Sequence, residues 1–159
     1  MLIRFTRLTN ERHRFEIVRD DGTREARELE TRSALLHDLA HYAVEVEAGL
    51  RESFYGRLAQ GISYDQLATM PMTTPEALQT EGVVVRFQDS GEFGADPERG
   101  AQQIIGGFAA MGREPPAWVT RDFVARARER LRRVRGLWRA TSFHQTMELE
   151  FPKRAEEIE

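Results

Sequence analysis

Apolar and polar residues alternate along three segments near the start of the chain. Residues 2–8 and 13–19 each place two apolar residues on one face, which is the pattern of a half-buried β-strand. Gly22 favours a tight turn, and residues 24–29 return as a third, more polar strand. His13 stands at the start of the second strand, where we expect it to be exposed. The inward residues of the predicted meander are Ile3, Phe5, Phe15 and Ile17.

The hydrophobic period changes to that of a helix in residues 31–49. Apolar residues recur there every three or four positions, as they do on one face of an α-helix. Thr31 and Ser33 are each suited to cap the first amides, and Gly49 supplies a stop. We therefore predict one amphipathic helix here, at the centre of the fold. Its apolar face holds Leu35, Leu36, Leu39, Tyr42, Ala43 and Val46.

Five further segments have helical patterns. They cover residues 50–59, 64–70, 76–88, 97–111 and 117–138. The segment 76–88 is ambiguous, because three consecutive valines favour a strand whereas its Thr-Pro-Glu start favours a helix, and we predict a helix. A loop is predicted at residues 89–94, without the ligand pattern of a calcium-binding loop. In the segment 97–111 the residues expected to be buried are Ile104, Ile105 and Phe108.

Residues 141–151 alternate again and predict a final strand that joins the N-terminal meander. One face would carry Phe143, Met147, Leu149 and Phe151, and the other His144, Thr146, Glu148 and Glu150. The predicted fold is α+β, with an antiparallel sheet of about four strands packed on a bundle of about four to five helices. Residues 1–152 would form a single domain, and residues 153–159 a frayed acidic tail.

Composition narrows the class of protein. No apolar run among the 159 residues reaches transmembrane length, and the start lacks a secretory signal pattern, so we expect a soluble, cytoplasmic protein of bacterial type. With no cysteine, disulfides and thiolate metal sites are excluded. No glycine-rich phosphate loop is recognisable, so no nucleotide cofactor is expected. Only Lys153 among the 23 basic residues is lysine, a skew that a GC-rich genome explains.

Charge is distributed unevenly although the net charge is only −3. Between Arg121 and Arg139 the longest predicted helix carries eight arginines and two acids, a local charge of +6. A nucleic-acid interface is one reading, but that face lacks aromatic residues for stacking. The excess of acids lies in residues 20–52 and 148–159, and Glu148, Glu150 and the tail can lie beside this helix. We expect instead that the arginines pair within the protein or across a homodimer contact.

The candidate chemistry lies on the central helix, opposite its apolar face. His37, Asp38, His41 and Glu45 fall within about 100° of one another, since successive residues turn by about 100°. Two histidines at i and i+4 point the same way and are able to coordinate one ion. Without thiolates, such an ion would be zinc, manganese, iron or nickel, and zinc is the first expectation.

Further ligands and the role of the intervening acid are assigned from spacing. Glu45 extends the row, Glu52 follows after the helix, and His144 is a candidate from elsewhere in the chain. Asp38 occupies the place of the glutamate base in a His-Glu-x-x-His zinc motif, and is one methylene shorter. It would therefore act as a catalytic base or orient a ligand from the second layer.

Two other interpretations of the same residues are open. The ring nitrogens of histidines on a half-buried helix can also find hydrogen-bond partners in Asp38, Glu45 or backbone carbonyls. This would make a structural hydrogen-bond network without metal. A metal-free acid–base site built on a His–Asp pair is the third. The sequence thus predicts either a metal-dependent enzyme acting on a small molecule, with a hydrolytic or lyase reaction, or a non-catalytic, partner-binding domain.

Two resemblances rest on the same stretch. Residues 28–45, ELETRSALLHDLAHYAVE, resemble a segment of small, uncharacterised bacterial proteins of similar length, which implies a shared fold and no activity. HDLAH at residues 37–41 resembles the His-Asp-x-x-His motif of the ubiquinone-biosynthesis family of the fourth complementation group. That family is thought to bind zinc through its two histidines and a downstream glutamate. The resemblance implies ligands at His37, His41 and Glu52, although Glu52 stands one residue closer to His41 than the family spacing.

Overall fold

The first three strands and the last strand of the described chain form one antiparallel sheet. A computed structural model describes residues 1–89 and 96–153, apart from the side chain of Asp89. The strands are β1 (Leu2–Arg7), β2 (Arg12–Val18), β3 (Arg24–Glu30) and β4 (Thr146–Glu150), in the order β3-β2-β1-β4. All neighbours are antiparallel, and the register pairs Phe5 with Phe15 on one side and with Met147 on the other. The predicted α+β fold is confirmed.

Six helices lie in the described part of the chain. They are α1 (Thr31–Ala48), α2 (Phe54–Ala59), α3 (Tyr64–Thr69), α4 (Pro75–Asp89), α5 (Pro97–Ala110) and α6 (Arg121–Ala140). None of these is long and apolar enough to cross a membrane. Apart from Asp89 and Lys153, the predicted loop at 89–94 and the predicted tail at 153–159 lie outside the described residues.

The ambiguous valine segment is helical. In α4, Val83 and Val84 are fully buried whereas Val85 is 44% exposed, and Phe87 is buried again. Two adjacent inward residues followed by an outward one fit a turn of about 100° per residue and conflict with the alternation of a strand. Burial against neighbouring helices outweighs the weak strand preference of three valines.

α1 is the central element, and more of it is covered than an amphipathic pattern suggests. It packs between α4 and α6, and eight consecutive residues from Asp38 to Glu45 are buried. The face with the predicted apolar residues contacts the core through Leu39 and Ala43. The opposite, polar face lies against α2 and α4, so its side chains must find partners inside the protein.

The start of α1 differs from the prediction. Its N-cap residue is Glu30, and no side chain caps the helix. The Thr31 hydroxyl instead bonds Nδ1 of His13, at 3.0 Å. His13 is completely buried between Phe5 and Trp138, so the expectation that it is exposed was wrong. The stop was predicted correctly, since Gly49 adopts the left-handed conformation with φ of 65°.

Three features in the C-terminal half of the chain also differ from the prediction. α6 begins at Arg121, capped by the Thr120 hydroxyl, rather than at residue 117. Ile105 is 38% exposed, because α5 turns it away from the core that receives Ile104. β4 begins only at Thr146, since His144 has a φ of 64° and breaks the alternation, which leaves Phe143 exposed.

Two arginines on the basic face of α6 form ion pairs with an acid on α1. Glu47 accepts hydrogen bonds from Nε of Arg126 at 3.1 Å and from Nε of Arg130 at 2.6 Å. Glu148 pairs with Arg4 on the outer face of the sheet, at 2.9 Å. Pairing within the protein therefore occurs, through one of the acids in residues 20–52. Glu148 pairs with the sheet rather than with α6, and residues 154–159 of the acidic tail lie outside the described residues.

Candidate metal centre

Two helices bring three potential ligands together. His37 and His41 lie one turn apart on α1, with ring centroids 4.7 Å apart, and Glu81 faces them from α4. One ligand atom from each of the three lies within 4.8 Å of the other two. A zinc ion with bonds of about 2.0–2.2 Å to nitrogen and oxygen requires its ligand atoms to lie closer to one another than 4.8 Å. The His37 side chain, which is 35% exposed, is the least enclosed of the three and would have to move toward the other two to bind an ion with them.

The His41 imidazole is held from both sides. Its Nδ1 lies 2.9 Å from Oε1 of Glu45, and its Nε2 lies 2.8 Å from Oε1 of Glu81. Only 2% of His41 is exposed, and the Phe54 ring packs against it at 5.6 Å. The ring is therefore fixed, with Nε2 directed at Glu81.

His37 repeats this arrangement in a more open setting. Its Nδ1 lies 3.0 Å from Oε1 of Gln88, and its Nε2 lies 3.8 Å from Oε2 of Glu81. In both histidines, then, Nδ1 has an oxygen acceptor and Nε2 faces the same carboxylate. Histidines that bind metal usually donate the other N–H to a carboxylate or carbonyl oxygen, which fixes the tautomer and the ring.

Glu45 is an internal support for His41. It is fully buried, and its second oxygen accepts the backbone N–H of Gly56 at 3.0 Å. A Cβ at Gly56 would overlap the backbone of Arg51, so the close approach of α2 to Arg51 requires glycine. With both oxygens engaged, Glu45 lies on the far side of the His41 ring from Glu81 and outside the group of three.

The charge on His41 is set by these acids. Burial alone would lower the pKa of His41, but hydrogen bonds and negative charge from Glu45 and Glu81 outweigh it and raise the pKa to about 10. Burial raises the pKa of Glu81, but the hydrogen bond and the positive charge of His41 outweigh burial. The pKa of Glu81 is therefore lowered. In the absence of a cation, His41 is therefore an imidazolium between two carboxylates.

Asp38 is a buried acid whose charge interacts with that of His41. It is buried, and its Oδ2 has no hydrogen-bond partner in the described part of the chain. Burial raises the pKa of Asp38 to about 7, while the charge of His41 lowers it and that of Glu81 raises it. The Tyr55 hydroxyl donates to the backbone carbonyl of Asp38 rather than to its carboxyl group. No hydrogen bond joins the Asp38 side chain to His37 or His41 within residues 1–89 and 96–153.

The remaining candidates lie outside the group of three. The backbone N–H of Glu52 donates to Glu76 at 2.6 Å, and its side chain lines a cavity beside Glu81. His144 is exposed, next to β1 and β4 on the outer face of the sheet. Sequence reasoning missed Glu81. The available signal was the spacing of Glu81 and Gln88, which are seven residues apart and so share one face of α4.

Comparisons with other proteins add no assignment. No match to the chain was found among family models, curated proteins or solved structures. The two resemblances within residues 28–45 therefore stay expectations.

Proposed function

We propose that this protein binds one divalent transition metal ion, zinc first, through His37, His41 and Glu81, and uses it on a small molecule. The observation that carries the proposal is the shared direction of both Nε2 atoms toward one carboxylate. Each Nδ1 is already held by an oxygen, from Glu45 for His41 and from Gln88 for His37. This is the support that metal-binding histidines require.

Two histidines and one carboxylate are a common ligand set of catalytic zinc sites. An ion held by three protein ligands keeps a coordination position open for a substrate, which it polarises as a Lewis acid. In this chain, Glu45 would hold His41 in the tautomer whose Nε2 lone pair is free. Glu81 would leave its ion pair with His41 to become the third ligand. Asp38, which lacks a link to either histidine, has no assigned step in this proposal.

A second candidate function has its own supporting observation. His41, as an imidazolium between buried Glu45 and partly exposed Glu81, forms an ion network without any metal. Such a network fixes the packing of α1 against α4 and would make the protein a non-catalytic, partner-binding domain. The two candidates differ in one measurable respect, since only the first takes up metal.

The deciding experiment is metal uptake by protein made without a histidine tag. After removal of metal with a chelator, titration with zinc in a calorimeter should give one equivalent bound. Cobalt(II) should produce visible absorption bands of a low-coordinate site. His37→Ala and Glu81→Gln should each abolish uptake. His144→Asn and Glu98→Gln are matched controls at exposed positions away from the site and should retain it.

Failure has a clear form. If wild-type protein binds less than about a tenth of an equivalent of zinc, manganese, iron or nickel, the metal proposal is wrong and the ion network stands. Retention of stoichiometric zinc by Glu81→Gln would reject this ligand set. The small-molecule partner, the homodimer and the cytoplasmic location expected from the sequence also remain proposals.

A further inference from the structure

A small cavity opens directly beside Glu81. It has a volume of about 110 Å³ and lies among α2, α3 and α4. Its walls are mainly apolar and come from Phe54, Leu67, Met70, Met72 and Ala77. Met70 and Met72 are 42% and 52% exposed, and they stand in the irregular segment between α3 and α4. Unbranched, adaptable methionine side chains suit a surface that must accept a ligand.

The cavity also contains an arginine without a counter-ion. Arg57 lines it and is only 9% exposed. Within the described residues the guanidinium makes no hydrogen bond or ion pair, in contrast to buried Arg19, which pairs with Glu25 and two backbone carbonyls. None of its nitrogens is both fully enclosed and unbonded, so the guanidinium faces open space. The carboxylates of Glu52 and Glu81 also line the cavity, but neither pairs with Arg57, so its guanidinium donors are open to an anionic ligand.

This cavity and the candidate metal centre share walls. Glu81 lines the cavity and faces both histidines. Phe54 also lines it and packs against the ring of His41. A molecule in the cavity would therefore lie next to the three ligand side chains.

We propose that the cavity binds a small carboxylate with a short apolar chain, its carboxylate paired with Arg57 and its chain against Phe54 and Leu67. The planar guanidinium fork matches a carboxylate in bidentate geometry. The volume suits a chain of about four or five carbons, given that an apolar cavity of roughly 150 Å³ takes up benzene. The role of this molecule as the substrate rests on the proposed metal function, whereas its binding does not.

The test uses 3-methylbutanoate as the probe, with 3-methylbutanamide as its uncharged isostere. Binding to full-length protein is followed by NMR chemical-shift changes in the presence of a chelator, so that metal plays no part. We expect saturable binding of the carboxylate, weakened about tenfold or more in the amide because a charge-assisted bond is lost. Arg57→Met should weaken it similarly, and Arg126→Met, at an exposed arginine of α6, should leave it unchanged.

Ala77→Leu supplies a second variant, since the added side chain fills the cavity without removing a charge. It should abolish binding while leaving the melting temperature nearly unchanged. Should Arg57→Met fail to fold, the comparison of carboxylate with amide on wild-type protein decides instead. Equal affinity for the two probes, or no binding of 3-methylbutanoate at millimolar concentration, would overturn the proposal. Inorganic phosphate binding as tightly as 3-methylbutanoate would overturn the role given to the apolar walls.

The two proposals fail separately. If the chelated protein binds 3-methylbutanoate but never takes up zinc, the cavity assignment survives and the metal function falls. If zinc binds and the carboxylate does not, only the cavity assignment falls. His37→Ala should lose zinc and keep the carboxylate, because His37 does not line the cavity.

Discussion

His13 and His41 are both almost completely buried, yet their surroundings hold them in opposite charge states. His13 lies among aromatic rings with one hydroxyl partner, and burial, aided by the charge of Arg12, lowers its pKa to about 4. His41 lies between two carboxylates that raise its pKa to about 10. A buried histidine is thus neutral or charged according to its neighbours, and burial alone does not decide which.

The largest expected effect comes from breaking the charged histidine's network. Glu45→Leu would remove one carboxylate from His41 and an acceptor from Gly56. His41 keeps Glu81 as a partner, but the buried N–H of Gly56 also loses its acceptor, so we expect a loss of about 3–5 kcal/mol of unfolding free energy. Urea denaturation at neutral pH measures this loss. The double variant Glu45→Leu/His41→Leu should recover part of this stability. If the losses of the two single variants simply add in the double variant, the two residues do not act as a pair.

The neutral histidine should act through pH. Its folded-state pKa of about 4 lies below the unfolded value of about 6.5, so the unfolded chain binds the extra proton between these values. Stability from His13 is therefore present above about pH 6.5 and lost as pH falls toward 4, by roughly 3 kcal/mol. The check is the difference in unfolding free energy between wild type and His13→Phe across this range. A difference that does not change with pH would show that His13 is protonated or exposed.

The charged histidine predicts the opposite slope. The pKa of His41 is raised, so its contribution is complete below about pH 6.5 and declines as pH rises toward 10. Comparing wild type with His41→Leu in chelator between neutral and alkaline pH measures it. If the stability difference between these proteins increased with pH, the imidazolium between Glu45 and Glu81 would be the wrong description.

Zinc should distinguish the exposed histidine from the buried one. At a free zinc concentration of 100 times its dissociation constant, binding adds about 2.7 kcal/mol to unfolding free energy. His37→Ala should lose this gain but unfold nearly as wild type does in chelator, because His37 is partly exposed. His41→Leu should lose both the gain and baseline stability. Thermal melts with and without zinc provide the measurement.

The smallest effect belongs to the exposed charges of α6. Arg126 and Arg130 share Glu47 near the surface, and such pairs contribute about 0–1 kcal/mol. Glu47→Gln should lower the melting temperature slightly, and salt up to about half-molar should reduce the difference. Heparin should leave the wild-type melt nearly unchanged. A strong rise with heparin, abolished by Arg128→Glu with Arg132→Glu, would instead identify a polyanion site.

Much of the local structure was predictable from the sequence. Alternation located the strands around Phe5 and Phe15, and the three-and-four spacing located α1 as far as its stop at Gly49. The i, i+4 spacing also placed His37 and His41 on one face. These features depend on residues within a few turns of one another, where backbone geometry fixes which side chains are neighbours.

The tertiary structure decided which partners each histidine meets. Glu81 is 40 residues beyond His41, and only the packing of α4 on α1 brings it there. Glu45 lies on the same helix as His41, but it bonds Nδ1, the ring nitrogen that does not face Glu81. The N–H of Gly56 donates to its other oxygen. His13 became buried because β2 places it beneath Trp138 of α6. Periodicity states which face of an element is apolar, but only packing determines which distant element covers that face, and so whether a buried histidine carries a proton.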